Sequence, residues 1–356
     1  MIKTARRKKA MKFILCAISI ISLLSTAASS SEEAFEPSGK IIFHSYSSYE
    51  ASDSKLKIYD YSSDDMLNIE SPNFYNAMNG DFGATDSDIV FMAINKEADK
   101  WDIFRYNTIS NSFTNLTYDG HYRSEDPKFS PDGYSVVFKQ GYWSNEFDSF
   151  IYNLAEIDLM TGKISMLTDD ISEESMPCYS ADGKTVYFAK GVGADSGIYS
   201  LNKETKEISE IYDRKGIQEY YPITNADLFY FSGWISENNR NDGIFRVNNN
   251  EILPMPFNNA DFNCSDPFPI DDKRLFISST QKGNYDIYLY DGEKLNEQSK
   301  LNTDTHELGT SYFSKNDAKK ISTQASDYIL EKNQQCNNAD ADGNGEIDIF
   351  DLIHLR

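Results

Sequence analysis

A self-similar unit recurs about every 46 residues along most of this 356-residue chain, and no other feature limits its fold so sharply. Laying Asp132-Gly133 on Asp182-Gly183 brings SEDPKFSPDGYSVVFKQ (124–140) into gap-free register with SEESMPCYSADGKTVYFAK (172–190). The same frame takes in FEPSGKIIFHS, YYPITNADLFYFSG, SDPFPIDDKRLFISS, TSYFSKNDAKKIST and, more loosely, GDFGATDSDIVFMA. Equivalent positions after the turn are His44, Met92, Phe138, Phe188, Phe231, Ile277 and Thr323.

Each unit reads as strands. A short strand runs into a turn such as Ser-Pro-Asp-Gly, where proline sets φ for the bend and glycine supplies a positive φ, and a β-branched or aromatic strand follows. A third strand recurs as LKIYDY, WDIFRYN, FIYNLAEIDL, SGIYSLN, DGIFRVN and YDIYLYD, alternating apolar with polar residues. Most copies lead into a fourth segment such as SFTNLT or KISMLT. Four antiparallel strands per unit predict an all-β fold, a β-propeller whose radial closure protects edges that an open sheet would expose. The first six repeats supply four strands each, whereas the seventh offers Tyr312-Phe313, Ile321-Ser322 and Tyr328-Leu330 without a clear fourth. The expectation is seven blades with an incomplete last one. The alternative is six, with the seventh hairpin closing the ring or packing outside it.

Pro-x-Phe-Ser-Pro-Asp-Gly followed later by Asp-Ile-Tyr resembles the TolB-type, WD40-like propeller family, over about residues 33–331. The resemblance implies the fold and leaves the function open. Asp132-Gly133 and Asp182-Gly183 keep the family's turn, whereas the repeats around Gly83, Asn225 and Lys315 have lost it. TolB carries an α/β domain ahead of its propeller, and here the first repeat follows closely on an expected leader. TolB's cell-envelope docking role is therefore not carried over.

That leader is residues 1–28. Basic residues Arg6 to Lys12 precede an apolar run, Phe13 to Leu24, and small residues Ser25 to Ala28 follow, the pattern of a secretory signal peptide. A dozen residues span only ~18 Å as a helix against a bilayer core of roughly 30 Å, so stable membrane insertion is not expected. The expected location is exported, periplasmic or extracellular. Cleavage removes six basic residues and no acidic ones, taking the formal charge from −22 to −28. With 56 Asp+Glu against 34 Lys+Arg, a nucleic-acid partner is excluded as an expectation, because phosphate backbones need clustered cations. Cys178, Cys264 and Cys336 remain, an odd number that permits at most one intramolecular disulfide.

After Cys336 the composition changes to NNADADGNGEIDIFDLIHLR. Asp340, Asp342, Asn344, Gly345, Glu346, Ile347, Asp348 and Asp351 fall at positions 1, 3, 5, 6, 7, 8, 9 and 12 of an EF-hand-type calcium loop. Ca²⁺ wants six to eight oxygens, so short carboxylates and amides alternate, Gly345 allows the bend and Glu346 offers its carbonyl. Residues 336–356 resemble a dockerin half-repeat, since position 12 is Asp and a short helix is expected after it. The resemblance implies Ca²⁺ as the cofactor and a cohesin-like partner. Dockerins, however, pair two such repeats, and residues 326–337 lack the ligands of a second, which favours a single Ca²⁺ clip ordering the C-terminus.

Catalysis has weaker support. No Gly-x-Ser-x-Gly motif is present for a serine peptidase. Some propeller lyases that cleave acidic polysaccharides gather histidines at one channel end, and His121 and His306 precede their first strands at similar offsets. Glu125, Glu173, Glu174, Glu219, Asp266 and Glu307 recur there too, either ringing a channel mouth or as solvated loop carboxylates. The reading is a non-catalytic binding or scaffold module with a protein or glycan ligand on a propeller face. A polysaccharide-active enzyme working at the channel mouth, as a metal-dependent lyase or a glycoside-active propeller, is the alternative.

Overall fold

The computed structural model describes residues 35–118, 121–248 and 251–316. The leader and the whole calcium segment lie outside them. Within the compact unit that begins at Pro37, the described residues form six four-stranded antiparallel sheets, the blades of a propeller. No helix among the described residues is long and apolar enough to cross a membrane.

Seven blades was the first expectation, and six is the number found. The repeat frame itself holds: His44, Met92, Phe138, Phe188, Phe231 and Ile277 each fall in the second strand of a blade. What the count missed is that the first repeat has no inner strand of its own. TSYFS of the seventh repeat lies in His306–Ser314, which pairs antiparallel with Gly39–Tyr46 from Tyr46↔His306 to Gly39↔Ser314. With Lys55–Asp60 and Asp65–Ile69 these strands make blade 1. Left apart, the first and last strands would each present open backbone donors and acceptors; joined, they satisfy each other. The remaining inner strands are Phe74–Phe82, Arg123–Phe129, Glu174–Tyr179, Glu219–Asn225 and Cys264–Pro269, for blades 2 to 6.

Second strands read as apolar runs because both of their faces are covered by neighbouring blades. Phe43, Phe91, Phe138, Phe188, Phe231 and Phe276, one per blade, have no exposed surface. Between blades 2 and 3, Val90, Met92 and Ile103 meet Phe129, Val136 and Phe138; between blades 3 and 4, Val137 and Leu154 meet Tyr179, Val186 and Phe188. Each such side chain contributes roughly 1.5–3 kcal/mol of burial. The Asp-Gly turns form as the sequence predicts. Gly133 N–H donates to Ser130 carbonyl (2.9 Å) and Gly183 N–H to Ser180 carbonyl (2.9 Å), with φ of +73° and +69°.

The closing contact is tight. Tyr312 donates its hydroxyl to the Ser38 carbonyl (2.5 Å) and accepts the Ser38 N–H (2.9 Å). Gly39 has φ of +104°, and a Cβ there would stand 2.2 Å from the Phe313 carbonyl oxygen. Gly39→Ala is expected to lower the unfolding free energy by roughly 2 kcal/mol or more, combining backbone strain with a forced shift of the closing strand. Gly162→Ala, at φ +70° with nothing within 4 Å, is expected to cost about 1 kcal/mol. Urea unfolding midpoints of the two variants check the difference; equal losses would mean that the Gly39 contact does not close the ring.

Candidate functional site

All six inner strands break register at the same place. The shifts fall between Ser175/Cys178, Glu125/Lys128, Tyr220/Ile223, Ser265/Phe268, Met78/Asp81 and, on the partner of the closing strand, Ile42/His44. At each bulge one residue has positive φ: Gly309, Asn79, Asp126, Met176, Tyr221 and Asp266. For the five that are not glycine this conformation costs about 1–2 kcal/mol each. Proline follows the last four of these, and a bulge is where a strand can tolerate it. The bulge re-aims the side chain. Asn79, Asp126, Met176 and Tyr221, with Pro127, Lys128, Pro177 and Pro222, line one small pocket, the neck where these four bulges converge.

Polar groups in this neck are stitched across blades. Asn79 Nδ2 donates to Asp126 Oδ1 (2.8 Å), and Gly309 N–H donates to Asp266 Oδ2 (3.2 Å). Asp81 accepts Phe129 N–H (2.9 Å) and the Ser311 hydroxyl (3.1 Å), and lies 3.5 Å from Lys128 Nζ. The Lys128 ammonium also stands 5.9 Å from the Tyr221 ring centroid, two blades away. Burial opposes its charge, but Tyr221 and Asp81 favour it and the balance lies upward. Cys178, Tyr221 and His44 are held in their neutral forms. Burial lifts the Cys178 thiol to about 12, despite Lys128, lifts the Tyr221 phenol, and lowers His44 to about 3. Cys178 and Cys264 are both free thiols and both buried.

The upper rim, where the inner strands begin, carries the histidines and acids singled out in the sequence. His121 sits on an exposed stretch before the blade 3 inner strand, and His306 opens the inner strand of blade 1, so both lie at this end. They begin non-adjacent blades. His306 stacks on Tyr46 (5.2 Å), which stacks on His44 (5.8 Å), and its Nδ1 accepts Tyr285 N–H (3.2 Å). Among the described residues no group of three or more His, Cys, Asp or Glu is placed to hold a metal ion. The acids neither ring a mouth nor float in solvent. Glu174, Glu219 and Glu307 occupy the same position, two residues before the bulge, at zero exposure. Glu307 accepts the Ser45, Thr303 and Thr305 hydroxyls, Glu219 pairs with Arg214 Nε (2.6 Å), and Glu174 lies 3.4 Å from Lys190. Glu125 and Glu173 flank Lys139 at 3.6 and 2.7 Å. Only Asp266 reaches the neck. Asp340, Asp342, Asn344, Glu346, Asp348 and Asp351 lie outside the described residues.

A feature of this rim that sequence reasoning missed is the hairpin of blade 3. Its strands, Ser135–Ser144 and Ser149–Asp158, run ten residues each, and their register places residues 145–148 beyond the inner strand's start. Trp143, Phe147 and Phe150 are the exposed Trp and Phe side chains among the described residues, and all three are on this hairpin. Tyr142 is exposed beside them and meets Tyr122 edge-on at 6.3 Å. The available signal was the longest repeat interval, Phe138 to Phe188, together with GYWSNEFDSF where other units place polar turns.

Fold and neck together define a six-bladed propeller whose inner strands are hydrogen-bonded across blades where they converge, with exposed aromatic rings on one rim. No family model matches the chain, and no curated protein matches it significantly. Solved structures do. Hydrazine synthase from Kuenenia stuttgartiensis aligns with a TM-score of 0.62 at 13% identity, over 78% of this chain and 47% of that one. An oligogalacturonate lyase in complex with manganese gives 0.54 at 12%, over 75% of each chain. TolB from Acinetobacter baumannii gives 0.52 at 17%, over 76% of this chain and 66% of that one. The chain thus spans about half the length of the hydrazine synthase and just under two thirds of that TolB. At such identities the likeness is one of fold.

Beside the neck, burial raises both Asp242 and Asp266 to about 6; hydrogen bonds from Tyr220 and Tyr285 oppose this at Asp242, and the Gly309 N–H opposes it at Asp266. Both therefore bind a proton more tightly folded than unfolded, where aspartate titrates near ~3.9. Their contribution to stability is complete below about pH 4 and is lost as the pH rises through about 6. The melting-temperature contribution of the pair is expected to fall between about pH 4 and about pH 7, and Asp242→Asn with Asp266→Asn to flatten that fall. An unchanged slope in the double variant would refute the assignment.

Proposed function

We propose that this protein is an exported, non-catalytic β-propeller that binds a macromolecular ligand on its upper rim and carries one Ca²⁺ on its C-terminal dockerin-like loop. One observation carries the reading: Asp81, Asp126 and Asp266 of the neck are each held by a partner from another blade, while every exposed Trp and Phe of the described residues is gathered on one rim hairpin. A contiguous exposed aromatic patch on a folded protein marks an interaction surface, because leaving such rings in water forgoes roughly 1.5–3 kcal/mol each. The leader, the acidic charge and the Asp340–Asp351 ligand spacing support export and calcium binding from the sequence side.

The enzymatic rival keeps one observation in its favour. Asp242 and Asp266, both shifted to about 6, stand close to Tyr285 and Tyr46, and perturbed carboxyls cluster at active sites more often than elsewhere. Incubation of the mature protein with neutral and acidic polysaccharides, with and without Mn²⁺ or Ca²⁺, separates the two. The expected result is no new reducing ends above the blank. Sustained product release that Asp242→Asn or Asp266→Asn abolishes would establish the rival.

For the calcium loop, titration calorimetry is expected to show one Ca²⁺ per chain, lost in Asp340→Ala. Because the six sheets lie outside the loop, chelation should leave the melting of the β-rich core unchanged, while protease protection of 336–356 should fall. If chelation unfolds the core, the loop is integral to the propeller; if calcium binds with unchanged affinity in Asp340→Ala, the site is wrongly assigned.

A further inference from the structure

The aromatic rings of the blade 3 hairpin form an ordered ladder. Trp143 and Phe150 are directly opposite in the register and meet edge-on at 5.4 Å; Phe150 and Tyr152, two residues apart on one strand, stack at 5.7 Å. All three therefore share one face of the hairpin. Gly141, opposite Tyr152, makes room for it: a Cβ there would lie 2.3 Å from the tyrosine ring. Two cations hold the ladder from the strand side. The Arg123 guanidinium stands 5.3 Å over Phe150, and the Lys139 ammonium 4.0 Å over Tyr152. Those cations are fixed in turn by Glu125 (3.0 Å from Arg123) and Glu173 (2.7 Å from Lys139). The platform is thus held in shape before any ligand arrives, which lowers the entropy cost of binding.

We infer that this ladder is a binding platform for a neutral polysaccharide, which gives the rim ligand of the proposed function its chemical class and rests on that reading. Three observations select this occupant. The hairpin's large exposed apolar side chains, Tyr142, Trp143, Phe147 and Phe150, are all aromatic and none is aliphatic. A pyranose ring offers axial C–H groups to an aromatic face and equatorial hydroxyls to flanking polar groups, so a row of exposed rings suits it. Exposed Asn145, in the turn between Trp143 and Phe150, supplies a hydrogen-bonding side chain at the tip, whereas Ser144 and Ser149 pair with each other and lie on the opposite face. Charge completes the selection. Exposed Glu146 and Asp148 at the tip, on a chain of net charge −22, repel uronate polymers and are indifferent to uncharged ones.

Native affinity electrophoresis of the full chain tests this, using gels that contain hydroxyethylcellulose, xyloglucan, galactomannan or polygalacturonate. Retardation is expected in at least one neutral gel and not in polygalacturonate. Trp143→Ala and Phe150→Ala should each weaken it by about tenfold or more, as central aromatic anchors do. Tyr49→Ala, an exposed tyrosine on blade 1, should leave it unchanged. Melting temperatures close to wild type for the Trp143 and Phe150 variants separate lost binding from lost fold. The inference is overturned if no neutral polysaccharide retards the chain, if polygalacturonate retards it most, or if Trp143→Ala is retarded as wild type is. It is overturned equally if sedimentation shows a dimer that Trp143→Ala dissolves, since the ladder would then face a second copy. Hydrolysis of a retarding polysaccharide would refute the non-catalytic reading alone and leave the platform standing.

Discussion

Pairing of His306–Ser314 with Gly39–Tyr46 is the interaction on which the rest of the molecule depends. A ring of sheets has no beginning, but a chain does, and somewhere two strand edges from opposite ends must meet. Here they meet inside one blade. The join places Phe313 in the same cluster as Ile42, Phe74 and Phe82, so that the seam is packed as well as hydrogen-bonded. It also carries Gly309 and Ser311 into the neck, where they reach Asp266 and Asp81. Fold closure and channel chemistry thus share one strand.

The six bulges give the neck its character. Strained backbone at five non-glycine positions would be removed by drift if nothing compensated for it, and the compensation is visible in cross-blade hydrogen bonds and in the Lys128–Asp81 contact. Those contacts tie blade to blade at small radius, where the sheets converge. Because the groups that converge there bond to each other, the proposed binding surface is the rim and not the neck. Blade 3 extends its second and third strands past that rim and adds rings that the core does not use.

The repeat was legible in the sequence because a blade repeats both its turn chemistry and its buried second strand; Phe138 and Phe188 lie where gap-free alignment puts them. The blade count was not. A closing strand borrowed from the far terminus looks like the start of another repeat, and only pairing distinguishes the two. Glu174, Glu219 and Glu307 share an offset that sequence shows, but sequence shows offset and not depth, so neither the channel-mouth reading nor the solvated-loop reading anticipates that they are buried anchors of loops. His121 and His306 were assigned correctly to one rim, while their separation by blade could not be read from spacing along the chain. The aromatic hairpin escaped for a simpler reason. Rings such as Trp143 and Phe150 in a β-rich chain read as core until burial is known.

Amide hydrogen exchange across the full chain, followed by mass spectrometry, tests the central claim most directly. If the terminal strands close the ring and the blade 3 hairpin stands outside the cooperative core, residues 306–314 and 39–46 should exchange together, only through global unfolding. The hairpin tip, 144–149, should exchange through local opening at far lower free energy. Fast, independent exchange of 306–314, or a hairpin tip as protected as the inner strands, would contradict the account.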